Sequence, residues 1–196
     1  MILPQSHTLT TRHLNRVFDN TVATYKYYWF LGILDACVKQ GKSRINVWDI
    51  MISMVANAWY PVNYFRLSFG KSESLYDAIL TLQREYNIPI NIGINELTEL
   101  LQALIQHREV RKLLNFLQQN VPFRFLRPWI DTSDDRQTVL RSQTFENGCL
   151  YKLERIDHIW WIELNPAWLP YLRENYDILT SFAYWGLTNF LQIGRA

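Results

Sequence analysis

The chain has 196 residues, 48% hydrophobic and 19% charged, which is enough apolar material for one continuous core and excludes a disordered tail. A net charge of +2 and a pI near 8.5 exclude the strongly basic kind of nucleic-acid binder, so any basic surface has to be local. Cys37 and Cys149 lie far apart without metal-type spacing, and free thiols in a reducing cytoplasm are expected.

Met1 to Thr11 has no basic segment followed by an apolar one, so no secretory signal is expected. Asn20 and Thr21 can cap a helix in which Val22, Tyr25, Trp29, Ile33 and Cys37 recur at steps of three or four. Phe30, Leu31 and Leu34 widen that stripe around most of the circumference, predicting a central buried helix that ends at Gly41. Its apolar run, Tyr27 to Val38, is interrupted by Asp35 and falls short of the roughly 20 residues of a membrane span, so a soluble protein without membrane contact is expected.

Val47, Ile50, Met51, Met54, Val55, Ala58 and Trp59 predict a second helix that stops before Pro61, followed by an irregular aromatic connection from Tyr60 to Ser72. Ser74 and Asp77 form a capping pair for a third helix bearing Leu75, Ile79, Leu82 and Tyr86, closed by Ile88-Pro89. A phase shift near His107 separates Leu97, Leu100, Leu101 and Leu104 from Val110, Leu113, Leu114 and Leu117, giving two helices or one kinked one. Val121-Pro122 is expected to stop the latter.

Asp131 to Ser142 is polar and reads as an exposed loop, and Cys149–Leu153 with Ile159–Leu164 reads as a β-hairpin turning at Glu154 to Asp157. Asn165-Pro166 opens a last helical region, in which Ile178, Leu179, Phe182, Trp185 and Phe190 form a stripe directed at the core. These elements predict a mainly α (α+β) fold: one orthogonally packed helical domain over 1–196, with a polar loop at 131–142 and one small hairpin near 149–164.

Candidate chemistry is sparse. Ala36 followed by Gly41-Lys42-Ser43 fits a loose phosphate loop, but the preceding residues read as a helix where such a loop needs a strand, and Gly70-Lys71-Ser72 has Phe65 in place of the first glycine. His7, His13, His107 and His158 are neither paired at i, i+4 nor clustered with the cysteines. Asp131, Asp134, Asp135, Glu154 and Glu163 lack calcium-loop spacing. No catalytic, metal or cofactor residue is assigned, and no cysteine and histidine stand in the order that hydrolases use.

Two basic groups are better placed for recognition. Arg108, Arg111 and Lys112 fall within about one helical turn, where Glu109 offsets only part of the charge, and are expected either to contact phosphates as a local patch or simply to face water. Arg124 and Arg127 are interleaved with Phe123, Phe125 and Trp129, a mix suited to a nucleic-acid backbone or exposed bases; alternatively the rings anchor in the core while the arginines face water. Lys26, among Tyr25, Tyr27, Tyr28, Trp29 and Phe30, is the oddest charge, expected to snorkel to solvent or meet an acidic group.

Asp19-Asn20-Thr21, Tyr25-Lys26-Tyr27-Tyr28-Trp29-Phe30-Leu31, Ala58-Trp59-Tyr60-Pro61, Val121-Pro122-Phe123-Arg124-Phe125-Leu126 and the late Trp168, Tyr171, Asn175, Ile178, Phe182, Trp185 and Leu191-Gln192 together form a pattern over nearly the whole chain. It resembles the region preceding the nuclease module of bacterial HNH endonuclease-domain proteins. The resemblance implies a DNA-recognition or scaffold region, with the histidine base and divalent metal belonging to a nuclease module that would follow Leu191-Gln192. Only Ile193-Gly194-Arg195-Ala196 follow, so a truncated, non-catalytic relative with DNA as partner is expected. The competing expectation is a protein-interaction module of a phage-defence or mobile-element system, with Trp48, Trp160 or Trp161 exposed in an apolar patch to meet a protein partner.

Overall fold

The structure, a computed structural model, describes residues 3–6, 8–19, 21–67 and 74–193. Asn20, His7 and Gly70-Lys71-Ser72 lie outside the described residues. The fold is mainly α with a small antiparallel sheet. In order the elements are α1 (Arg12–Asn15), α2 (Tyr25–Leu34, continued by a π-helical turn Asp35–Lys39), β1 (Arg44–Asn46), α3 (Val47–Asn63), α4 (Ser74–Glu85), α5 (Ile94–Leu104) and α6 (Arg108–Leu126). There follow α7 (Asp135–Ser142), β2 (Tyr151–Ile156), β3 (Ile159–Leu164), α8 (Trp168–Glu174) and α9 (Tyr176–Ile193).

Helix α2 is the central element, as its all-round apolar pattern predicts: Tyr27 through Leu34 are all buried, and the helix packs against α3, α6 and α9. Gly32 lets α3 approach closely, since a β-carbon there would stand 2.8 Å from Ile50 Cγ2. Gly41 takes a left-handed conformation (φ +67°), and the Lys42 amide donates to the Ala36 carbonyl at 3.0 Å, which closes the helix as expected of a C-terminal glycine. Val22 does not belong to the stripe. It precedes α2 and is 82% exposed.

Both expected proline stops are overridden. Helix α3 passes through Pro61 and α6 through Pro122. An interior proline costs about 3 kcal/mol, and here tertiary contacts offset it. Val62 and Asn63 are buried after Pro61, while Trp59 Nε1 and the Tyr60 hydroxyl donate to the carbonyls of Ile90 and Ile92. Phe123, Phe125, Leu126 and Trp129 are buried after Pro122, whose carbonyl accepts from the Tyr151 hydroxyl at 2.7 Å.

The expected polar loop 131–142 is largely the helix α7. Asp134 caps it by accepting from the amides of Arg136 and Gln137, and Thr138 and Ser142 are its buried residues. Ser142 Oγ accepts the Leu153 amide while Gln143 Nε2 donates to the Leu153 carbonyl, so polar groups rather than an apolar stripe dock α7 on β2.

The hairpin forms, but β2 runs on to Ile156 and the turn is the pair Asp157-His158, both at positive φ. That is the backbone a two-residue hairpin turn requires. A third strand, β1, joins the sheet in the order β1-β3-β2, with Ile45 opposite Ile162. In α9, Leu179 and Phe182 are buried as expected, whereas Ile178 and Trp185 face outward. No helix among the described residues is long and apolar enough to cross a membrane.

Candidate nucleic-acid interface

Helix α6 carries Arg108, Arg111, Lys112 and Arg124 against Glu109 alone, and Arg127 follows at its C-terminal cap. A cation in the first turn opposes the helix dipole, so Arg108 costs stability where it stands; Lys112 lies one turn on. Both are exposed. Arg111 is consumed within the fold: its Nε donates to the Ile105 carbonyl at 2.7 Å and Nη2 to Gln106 Oε1 at 3.2 Å, and its guanidinium lies 5.9 Å from the Trp48 ring centre. It caps the end of α5 and is the least available member of the first basic group.

At about 1.5 Å per residue Arg124 lies about 18 Å further along α6 than Lys112. At about 100° per residue Arg108, Lys112 and Arg127 fall within about 100° around the axis. They form a shared face.

The second basic group has a neighbour that local spacing does not reveal. Arg124 Nη1 donates to the Tyr25 hydroxyl at 3.2 Å, and Lys26, one residue on, donates from Nζ to the Val17 carbonyl at 3.2 Å. Burial, and then the charges of Arg127 and Arg124, hold the Lys26 ammonium below the ordinary lysine range, with Asp19 acting in the other direction. Lys26 is half-buried with Asp19 nearby, in line with the expectation of solvent or an acid, and it also sits beside two more cations, which was not expected. Phe123, Phe125 and Trp129 are buried, so the rings anchor the segment and are not available to stack on bases.

Among the described residues, Lys26, Arg108, Lys112, Arg124 and Arg127 lie within ion-pair distance of no carboxylate, as do several other arginines such as Arg84 and Arg173, whereas Arg16, Lys39, Lys42, Arg44 and Arg141 each have one and Lys152 has two. The other candidates have structural explanations. Lys42 of the loose phosphate loop pairs with Asp49 and follows a helix end, and Glu154 and Glu163 are bridged across the sheet by Arg44 and Lys152. No group of three or more His, Cys, Asp or Glu among the described residues is placed to hold a metal ion. Trp48 is buried, and Trp160 and Trp161 are half-buried under Arg155 and Arg44, so the expected apolar patch does not form there.

Comparison of the chain with protein-family models, with curated proteins and with solved structures returned no match.

Proposed function

We propose that the chain is a non-catalytic helical unit that binds DNA through its phosphate backbone, as the recognition or scaffold region of an HNH-type endonuclease. The observation that carries this reading is the convergence of Lys26 with Arg124 and Arg127, from two distant segments, without a carboxylate in ion-pair distance among the described residues. Like charges held together cost free energy, which a polyanion offsets on binding. Arg108 and Lys112 extend the same surface toward the other end of α6. The HNH context rests on the resemblance alone.

Arg124→Gln combined with Arg127→Gln should weaken binding to a short duplex by about ten- to a hundredfold, measured by fluorescence anisotropy at fixed salt. Arg111→Gln should leave that affinity unchanged and lower the unfolding midpoint, because it removes a cap rather than a contact. Native-like circular dichroism with unchanged affinity in the double variant would overturn the assignment.

A second reading, a protein-interaction module, is supported by a different surface. Ile178, Tyr184 and Trp185 are exposed on α9, whose residues from Ile178 to Ile193 carry no charge. Co-purification of a protein partner without salt-sensitive DNA binding would favour it.

A further inference from the structure

A groove of about 550 Å³ is lined by α3, by α5 and by the π-helical turn after α2, and by none of the basic residues proposed to meet DNA. Its volume falls in the range of small-ligand sites, about 300–1,000 Å³, and π-helical turns recur at functional positions. Ser53 and Asn57 stand one turn apart on α3, as do Thr98 and Gln102 on α5, so both helices present polar side chains to the groove. Hydrogen bonds inside the fold fix several of these groups. Asn57 Nδ2 donates to the Ser53 carbonyl at 2.9 Å and to Ser53 Oγ at 3.1 Å, which leaves the Asn57 carbonyl oxygen as an acceptor and the Ser53 hydroxyl proton as a donor. Thr98 Oγ1 donates to the Ile94 carbonyl at 2.7 Å, so its lone pairs are what it offers a ligand. Charge is largely cancelled in place: Lys39 pairs with Asp35 at 2.7 Å and Lys42 with Asp49 at 3.2 Å, and Asp35 also accepts from the Tyr176 hydroxyl at 2.8 Å. The one remaining charge on the lining is Glu99, which is exposed and screened by solvent.

An anion in this groove would meet three carboxylates, and a cation two ammonium groups. A zwitterion would have to compete with the ion pairs Lys39–Asp35 and Lys42–Asp49. A hydroxyl group both donates and accepts, so it can pair with Asn57 and Thr98 as well as with Ser53 while leaving those ion pairs intact. A peptide segment shares that mixed polarity, but it is held by large side chains seated in pockets, and the apolar lining here is limited to Ile52, Ala56 and Ile94. We infer that this groove binds a neutral saccharide, its hydroxyls exchanging hydrogen bonds with Ser53, Asn57, Thr98 and Gln102 and its ring C–H groups covering the small apolar part.

The test is saturation-transfer NMR and titration calorimetry of the full chain with maltose, cellobiose, lactose and sucrose. At least one should bind with a Kd of about 1 mM, as a few net hydrogen bonds allow. Thr98→Val and Gln102→Ala should each weaken that binding about two- to tenfold, and Asn57→Leu combined with Thr98→Val should abolish it, with thermal melts reporting folding. Gln102 is exposed, so its variant keeps the test readable if Asn57→Leu unfolds the chain. Absence of binding by all four at concentrations about tenfold above that Kd overturns the site. Binding that Thr98→Val and Gln102→Ala both leave unchanged also overturns it, because the saccharide then lies elsewhere. Binding of spermidine in place of any saccharide, lost in Glu99→Gln, overturns the neutral ligand in favour of a cation.

Discussion

Replacing Tyr151 by phenylalanine should destabilise the protein by about 2–4 kcal/mol, although only one oxygen atom is removed. Tyr151 is fully buried, and its hydroxyl accepts from Trp29 Nε1 at 3.1 Å while donating to the Pro122 carbonyl at 2.7 Å. It joins the central helix, the sheet and the proline-interrupted part of α6. Without the hydroxyl, two buried polar groups lose their partner, each at about 1–3 kcal/mol. The ring stays in place against Trp29 and Phe125, so packing changes little and the loss reports hydrogen bonding. Urea unfolding should show a lower midpoint at unchanged slope. Tyr171→Phe, which loses one donation to the Pro4 carbonyl, should cost about half as much or less. A Tyr151→Phe loss below about 1 kcal/mol would contradict the role assigned to the hydroxyl.

Stability should also fall on the alkaline side, through Cys149. Burial, partly offset by donation to the Tyr151 carbonyl, pushes this thiol up from 9.0 to about 12. Between those values the unfolded chain has lost a proton that the native chain keeps, so stability drops as pH rises through the window. The loss amounts to about 1 kcal/mol at pH 10 and about 4 kcal/mol by pH 12. Tyr151, raised well above its ordinary value by burial, acts in the same direction. Lys26 acts the other way, since its lowered value makes the native ammonium the first to release its proton. The buried Cys37 thiol, also raised by burial, acts in the same direction, so Cys149→Ala should remove part of the drop between pH 8 and pH 10 in denaturant titrations and Cys37→Ala with Cys149→Ala more of it. An equal drop in the variant and the unmodified chain would exclude Cys149 as its source.

Elements that bury a continuous apolar stripe are legible from residue spacing alone. Helices α2 and α3 follow Trp29, Ile33, Ile50 and Met54, and the split near His107 separates α5 from α6. Other elements are built on signals that local patterning does not carry. Helix α7 docks through Thr138 and Ser142, and β1 places only Ile45 in the core. Pro61 and Pro122 sit in helices because distant hydrogen bonds and burial outweigh a local penalty.

The basic surface divides in the same way. Arg108, Lys112, Arg124 and Arg127 can be read from their spacing on α6. Spacing does not show that Arg111 is turned onto Ile105, that Phe123 and Phe125 are buried, or that Lys26 joins Arg124 and Arg127 from about a hundred residues away. Lys26 stands out as a charge inside an aromatic run, which locates the residue without its neighbours.

The most direct test of the basic face is the salt dependence of the unmodified chain on a short duplex. Four phosphate contacts, from Arg108, Lys112, Arg124 and Arg127, each release about 0.9 counterion, so log affinity should fall against log salt with a slope of about −3 to −4. A slope indistinguishable from zero, with the chain folded throughout, would contradict the account.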